Sequence, residues 1–128
     1  MNALLHTHTL LWMVSNSVRL SDRARAAIAD ENNTLSFSIA GYWEIGIKQS
    51  LGKLELSEGW EQTLPKEMAH NRIRWLPIET RHVHEVVDLP RTHRDPFDRL
   101  IIAQARVEGL SIISRDQRLA EYGVPIIW

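Results

Sequence analysis

Five short apolar runs, each followed by a segment of helical period, constrain this chain more than any other feature. The runs are "ALL" at residues 3–5, "TLSFSIA" at 34–40, "IRWLPI" at 73–78, "LSIIS" at 110–114 and "VPIIW" at 124–128. Each is too short for a helix and is bounded by polar or turn-forming residues, so each reads as a strand. Strands covered by helices on both faces are continuously apolar, whereas half-exposed strands alternate. Alternation of strand and helix along the chain then predicts a parallel sheet layered between helices. The expected fold is α/β, a three-layer α/β/α sandwich around a central parallel sheet of about five short strands. The length of 128 residues suits one domain spanning 1–128, large enough to bury a core without cross-links.

The helical segments carry their own signals. "THTLLWMV" places Leu10, Leu11 and Val14 on one face. Ser21 is a natural N-cap for the next helix, with Asp22 in its first turn. Residues 39–51 are helical up to Gly52. Residues 58–71 form a weaker helix, and Pro65 inside it is expected to kink or split it. Glu79 to Asp88 is helical, Phe97 to Glu108 is a strongly apolar helix closed by Gly109, and "DQRLAEYG" is a short helix. There is no cysteine, which rules out disulfides and thiolate metal ligands. The net charge of −1 announces no nucleic-acid partner, so any phosphate-binding surface must be local. No apolar run is long enough for a membrane span and the N-terminus lacks the pattern of a signal peptide. The expectation is a cytoplasmic protein with no membrane association.

Acidic residues occupy a particular class of position. Glu44 lies alone within an otherwise apolar helical stretch, "IAGYWEIGI", where a carboxylate needs compensation; Lys48 one turn later offers it. Asp95 and Asp98 open the apolar helix, where capping explains them individually. Asp116 follows the fourth strand and could cap the short helix after it. In a parallel sheet these strand ends and helix starts converge on one edge. Converging carboxylates repel unless a cation lies among them, and Mg2+ or Mn2+ is the cation that carboxylate oxygens suit. Arg91, Arg94, Arg99, Arg115 and Arg118 crowd the same segments, either as a solvated ion-paired surface or as a phosphate-binding rim.

Four blocks, "LHTHTLLW", "SIAGYWEIGIKQSLGKLEL", "LPRTHRDPFDRLIIAQARVEG" and "IISRDQRLAEYGVPIIW", together resemble the PIN-domain proteins, and among them the VapC-type toxins of toxin–antitoxin systems. The resemblance runs almost end to end. It implies a metal-dependent endoribonuclease that cuts cellular RNA, of the tRNA or rRNA class, and so arrests translation. It further implies an Mg2+ or Mn2+ cofactor, a cognate VapB-like antitoxin and a homodimer. By the same resemblance Glu44, Asp98 and Asp116 are catalytic, these three with Asp95 hold the metal, and Arg99, Arg115, Ser38 and Ser114 lie beside them to meet RNA.

Two positions depart from the family pattern. Gly41 stands where a second serine is usual, a mild change expected only to loosen a helix start. His6 stands where the family carries a metal-reaching aspartate. That swap removes a negative charge and two hard oxygens, so it implies a weakened or inactive enzyme. The alternative function is a non-catalytic antitoxin- or RNA-binding module on the same scaffold. A third reading makes His6 a ligand for a metal other than Mg2+. His8 reads as a packing or helix-start residue, His93 as a loop residue near the acids, and His70, His82 and His84 as surface.

Overall fold

The computed structural model describes residues 1–128. Five strands form one parallel sheet: β1 (Asn2–Leu5), β2 (Thr34–Ser38), β3 (Ile73–Leu76), β4 (Ser111–Ile113) and β5 (Ile126–Ile127). Their spatial order is β3-β2-β1-β4-β5. The chain therefore builds outward from β1 to β3, then returns to the other side of β1 for β4 and β5. The reversal between β1 and β4 opens a crevice at the carboxyl ends of those two strands. Leu4 pairs with Ile112 and Leu5 with Ile113, so the residues just after each strand are brought side by side.

Six helices and one 3-10 helix cover the sheet: α1 (Thr7–Val14), α2 (Asp22–Ala29), α3 (Ile39–Ser50), α4 (Trp60–His70), α5 (Thr80–Asp88), α6 (Pro96–Glu108) and the 3-10 helix Gln117–Tyr122. None is long and apolar enough to cross a membrane. Strand side chains alternate between faces, so the sheet feeds two cores. Ala3, Leu5 and Ile113 pack with Leu10, Ile28, Ile45, Leu64 and Met68 on one face. Leu4 and Ile112 pack with Ile101, Ile102, Leu119 and Tyr122 on the other. The three layers and the five short strands agree with the sequence pattern.

One local expectation needs correction, and the expected short helix after Asp116 takes a specific form. Pro65 neither splits nor ends α4, which runs continuously from Trp60 to His70. The proline lies in the second turn, where its missing N–H removes a single intrahelical bond, and Leu64 and Met68 anchor both sides in the core. The segment after Asp116 is a 3-10 helix, tighter than an α-helix, ended by Gly123 at φ 77°.

Candidate metal centre

The crevice carries the chemistry. A cleft of about 360 Å³ is lined by His6, Glu44, Asp95, Asp98 and Asp116, with Thr7, His8, Lys48 and Lys53 among its other walls. A larger groove, about 540 Å³, lies between α6 and the start of β5, but its one carboxylate, Glu85, is already paired with Arg106. The smaller cleft gathers four carboxylates, Glu44, Asp95, Asp98 and Asp116, so it is the candidate site.

Each acid is placed by its element. Glu44 sits in the second turn of α3, its side chain only 5% exposed, with Lys48 Nζ 2.7 Å from Oε2. The hydrogen bond to Glu44 raises the Lys48 pKa, keeping the ammonium charged. Glu44 Oε1 is buried and has no partner. Asp95 caps α6 by accepting from the N–H groups of Phe97 and Asp98, with Pro96 at the first helical position. Asp98, one turn in, is buried. Asp116 caps the 3-10 helix and accepts from Arg118 Nε at 2.9 Å and Nη2 at 2.8 Å. The Arg118 guanidinium holds the Asp116 carboxyl down at about 2, against the smaller opposing effect of burial. Both the capping reading and the convergence reading of these acids therefore hold at once.

His6 fills the gap between β1 and β4. It is buried, as N-cap of α1, and both ring nitrogens are engaged. Nδ1 lies 2.8 Å from Ser114 Oγ and Nε2 lies 2.6 Å from Asp98 Oδ1. The backbone N–H of Asp116 donates to Ser114 Oγ. Ser114 Oγ thus sits between the Asp116 N–H and His6 Nδ1, and His6 Nε2 faces the Asp98 carboxylate, so one ring bridges β4 and α6. Burial pushes the Asp98 carboxyl up, but the hydrogen bond and charge of His6, with His93 behind them, bring it below its usual value.

His93 reaches the same acids from the loop before α6. Its Nε2 is 3.2 Å from Asp98 Oδ2 and 3.7 Å from Asp116 Oδ2, yet it is buried without a properly directed hydrogen bond to either. These three atoms lie within 4.8 Å of one another. An ion bound at about 2.1 Å from tetrahedrally arranged N and O donors separates them by roughly 3.4 Å. The three donors therefore fit a single divalent cation, and the cleft that Asp98 and Asp116 also line holds the unpartnered Glu44 oxygen.

Other residues singled out in the sequence lie elsewhere. Ser38 is buried, caps Ala40 and donates to Gln104 rather than lining the cleft. Arg99 directs its guanidinium to the carbonyls of Val86, Leu89, Pro90 and His93, strapping the loop that carries His93. Arg115 has an exposed side chain, and its backbone N–H donates to His8 Nε2. Burial and the neighbouring His6 lower the His8 pKa to about 4, as expected of a packed acceptor. His82 corrects the surface reading. It is fully buried, accepting from the Glu79 N–H and lying 2.9 Å from Glu108, while His70 and His84 are exposed. His82 lies one turn before Val86 and on the side of Leu89, so helical period offered a signal for its burial that its polar side chain concealed.

An α/β/α domain with carboxylates and histidines gathered at the sheet's reversal point is the class that fold and site define. The PIN domain family model matches residues 3–125, and the chain belongs to that family. PIN domains are generally nucleases. No protein of curated function matches the sequence. Among solved structures, VapBC2 from Rickettsia felis bound to a promoter DNA fragment superposes with a TM-score of 0.71 at 17% identity, over 98% of this chain and 97% of that one. DNA-bound VapBC from Salmonella typhimurium gives 0.68 at 19% identity, covering 98% and 96%. VapBC-1 from nontypeable Haemophilus influenzae gives 0.67 at 18% identity, again covering 98% and 96%. At these identities the likeness is one of fold.

Proposed function

We propose that the chain is the toxin half of a toxin–antitoxin pair, a metal-dependent endoribonuclease cutting RNA of the tRNA or rRNA class, with activity reduced by His6. The observation that carries this is the convergence of Glu44, Asp98 and Asp116, with Asp95, on one cleft. PIN-family membership and the VapBC fold neighbours support it, and through them a VapB-like antitoxin and a homodimer.

Asp98, Asp116 and Glu44 are the residues that would hold an Mg2+ or Mn2+ ion. When bound, such an ion stabilises charge on the scissile phosphodiester and makes bound water more acidic. Glu44, with one oxygen tied to Lys48, has its other oxygen free to face the ion. Lys48 and Lys53 on the same wall give phosphate a local counter-charge despite the net charge of −1. His6 lowers activity because it occupies one Asp98 oxygen and contributes no anionic donor of its own.

The test is cleavage of total cellular RNA by the purified chain in Mg2+ or Mn2+, before and after His6→Asp. Faster cleavage after the substitution, lost again on adding Asp98→Asn, is the expected result. Absence of cleavage by both chains, with retained binding of an antitoxin peptide, would replace the proposal by the non-catalytic module, the reading that His6 itself favours.

A further inference from the structure

We infer that the cluster of His93 Nε2, Asp98 Oδ2 and Asp116 Oδ2, at the edge of the cleft, selects a borderline transition ion, Zn2+ or Co2+, over Mg2+, with His6 as a positioning residue and not a ligand. This rests on the reading of the cleft as a metal centre and changes what that centre prefers.

The two imidazoles differ in what they have left to offer. His6 has no nitrogen to spare: Nδ1 faces Ser114 and Nε2 faces Asp98. Its geometry is that of a group behind a ligand, engaging Oδ1 so that Oδ2 is left towards His93. Hydrogen bonds of this kind commonly orient metal-binding side chains. His93 is the opposite case. Its Nε2 sits close to two carboxylate oxygens, is buried, and satisfies its hydrogen-bonding capacity with neither. A buried nitrogen in that state is costly unless a further atom completes it. A metal ion between Nε2 and the two oxygens does so, with the ring neutral and its lone pair directed at the ion.

The donor set then decides the ion. Imidazole nitrogen favours Zn2+ and neighbouring transition ions, whereas Mg2+ favours oxygen alone and keeps its waters. One nitrogen and two carboxylate oxygens leave a position open for water or substrate, as in catalytic zinc sites. Arg118 now holds Asp116, but its side chain is 72% exposed, so releasing Oδ2 to an ion costs little. Glu44, 5% exposed with Oε1 unpartnered, lines the cleft that Asp98 and Asp116 share, a second buried polar group with unused capacity for a cation.

The other cluster of this composition, Glu79, His82 and Glu108, does not compete. His82 is fully buried, its Nδ1 accepts from the Glu79 backbone, and its Nε2 faces Glu108, which also pairs with Arg81. Every donor there has a partner, and the cluster ties α5 to α6.

The experiment is metal binding by the intact chain without RNA. Equilibrium dialysis with Co2+ or Zn2+, with Mg2+ as competitor, is expected to show one tight site that excess Mg2+ does not empty. Long-range 1H–15N spectra of the imidazoles are expected to move His93 Nε2 on adding Zn2+ while both His6 nitrogens keep their protein-bonded shifts. His93→Gln is expected to abolish the preference over Mg2+. His6→Asn is expected to weaken binding by roughly 10- to 100-fold, as losses behind a ligand do, and His6→Asp to move the preference toward Mg2+. A His93 signal that ignores Zn2+, or a His6 nitrogen that shifts as a ligand, overturns the inference even if Mg2+-dependent RNA cleavage is found. Failure of every ion to bind, in this chain and in His6→Asp alike, removes the metal-centre reading beneath it.

Discussion

At the scale of single residues, the contact that most changes the reading of this chain is Ser114 with His6. The hydroxyl is fully buried, accepts from the Asp116 N–H and meets His6 Nδ1. Ser114→Ala leaves both unpartnered, so a loss of about 1–3 kcal/mol is expected in urea unfolding. His8 supplies a pH dependence. Its folded pKa is about 4, set by burial and then by His6, against about 6.5 in an unfolded chain. Between those values the unfolded state binds the proton and the folded state does not, so stability falls as pH drops from 6.5 towards 4. His8→Gln keeps an acceptor for the Arg115 N–H but does not titrate. Urea midpoints at pH 7 and pH 5 should therefore differ less in that variant; an unchanged difference would assign the pH dependence to another group.

At the scale of elements, α3 carries Glu44 and is held by two devices. The first is Gly41, which the sequence suggested would merely loosen the helix start. In the structure a Cβ at that position would lie 2.8 Å from the Phe37 ring and 3.1 Å from Thr7 Oγ1. The glycine makes room for Phe37, a fully buried side chain of β2, and α3 remains regular through it. Gly41→Ser is expected to cost about 1–3 kcal/mol through overpacking, and Phe37→Leu in the same chain to recover part of that. A double-mutant cycle without favourable coupling would show the clash to be absorbed elsewhere. The second device is Gln104, fully buried on α6, which accepts from Ser38 at the start of α3 and donates to the Pro77 carbonyl. Gln104→Leu strands both partners; a lower unfolding midpoint by hydrogen-bond losses of about 1–3 kcal/mol is the expected outcome.

At the scale of the whole molecule, strand order creates the site. Because the chain reverses between β1 and β4, residues 6 and 114 meet across a sequence separation of 108. An ion bound only by the folded chain stabilises it by about 2.7 kcal/mol at 100 times its dissociation constant. Thermal melts should therefore rise with Co2+ in the unsubstituted chain and stay flat in Asp98→Asn. The strand and helix positions, the caps at Ser21, Asp95 and Asp116, and the likeness to PIN domains were all legible in the sequence, because periodicity and capping are local and need no partner from afar. The continuity of α4 through Pro65, the burial of His82, the role of Arg99 as a strap and the fit of Gly41 to Phe37 were not. Each depends on side chains distant in sequence, whose contacts are set by how the layers pack. The acids were visible as candidates, and His6 was visible as a departure. That both His6 nitrogens are spent while the His93 nitrogen is not was decided by tertiary structure alone, since hydrogen-bond direction exists only once both partners are fixed in space.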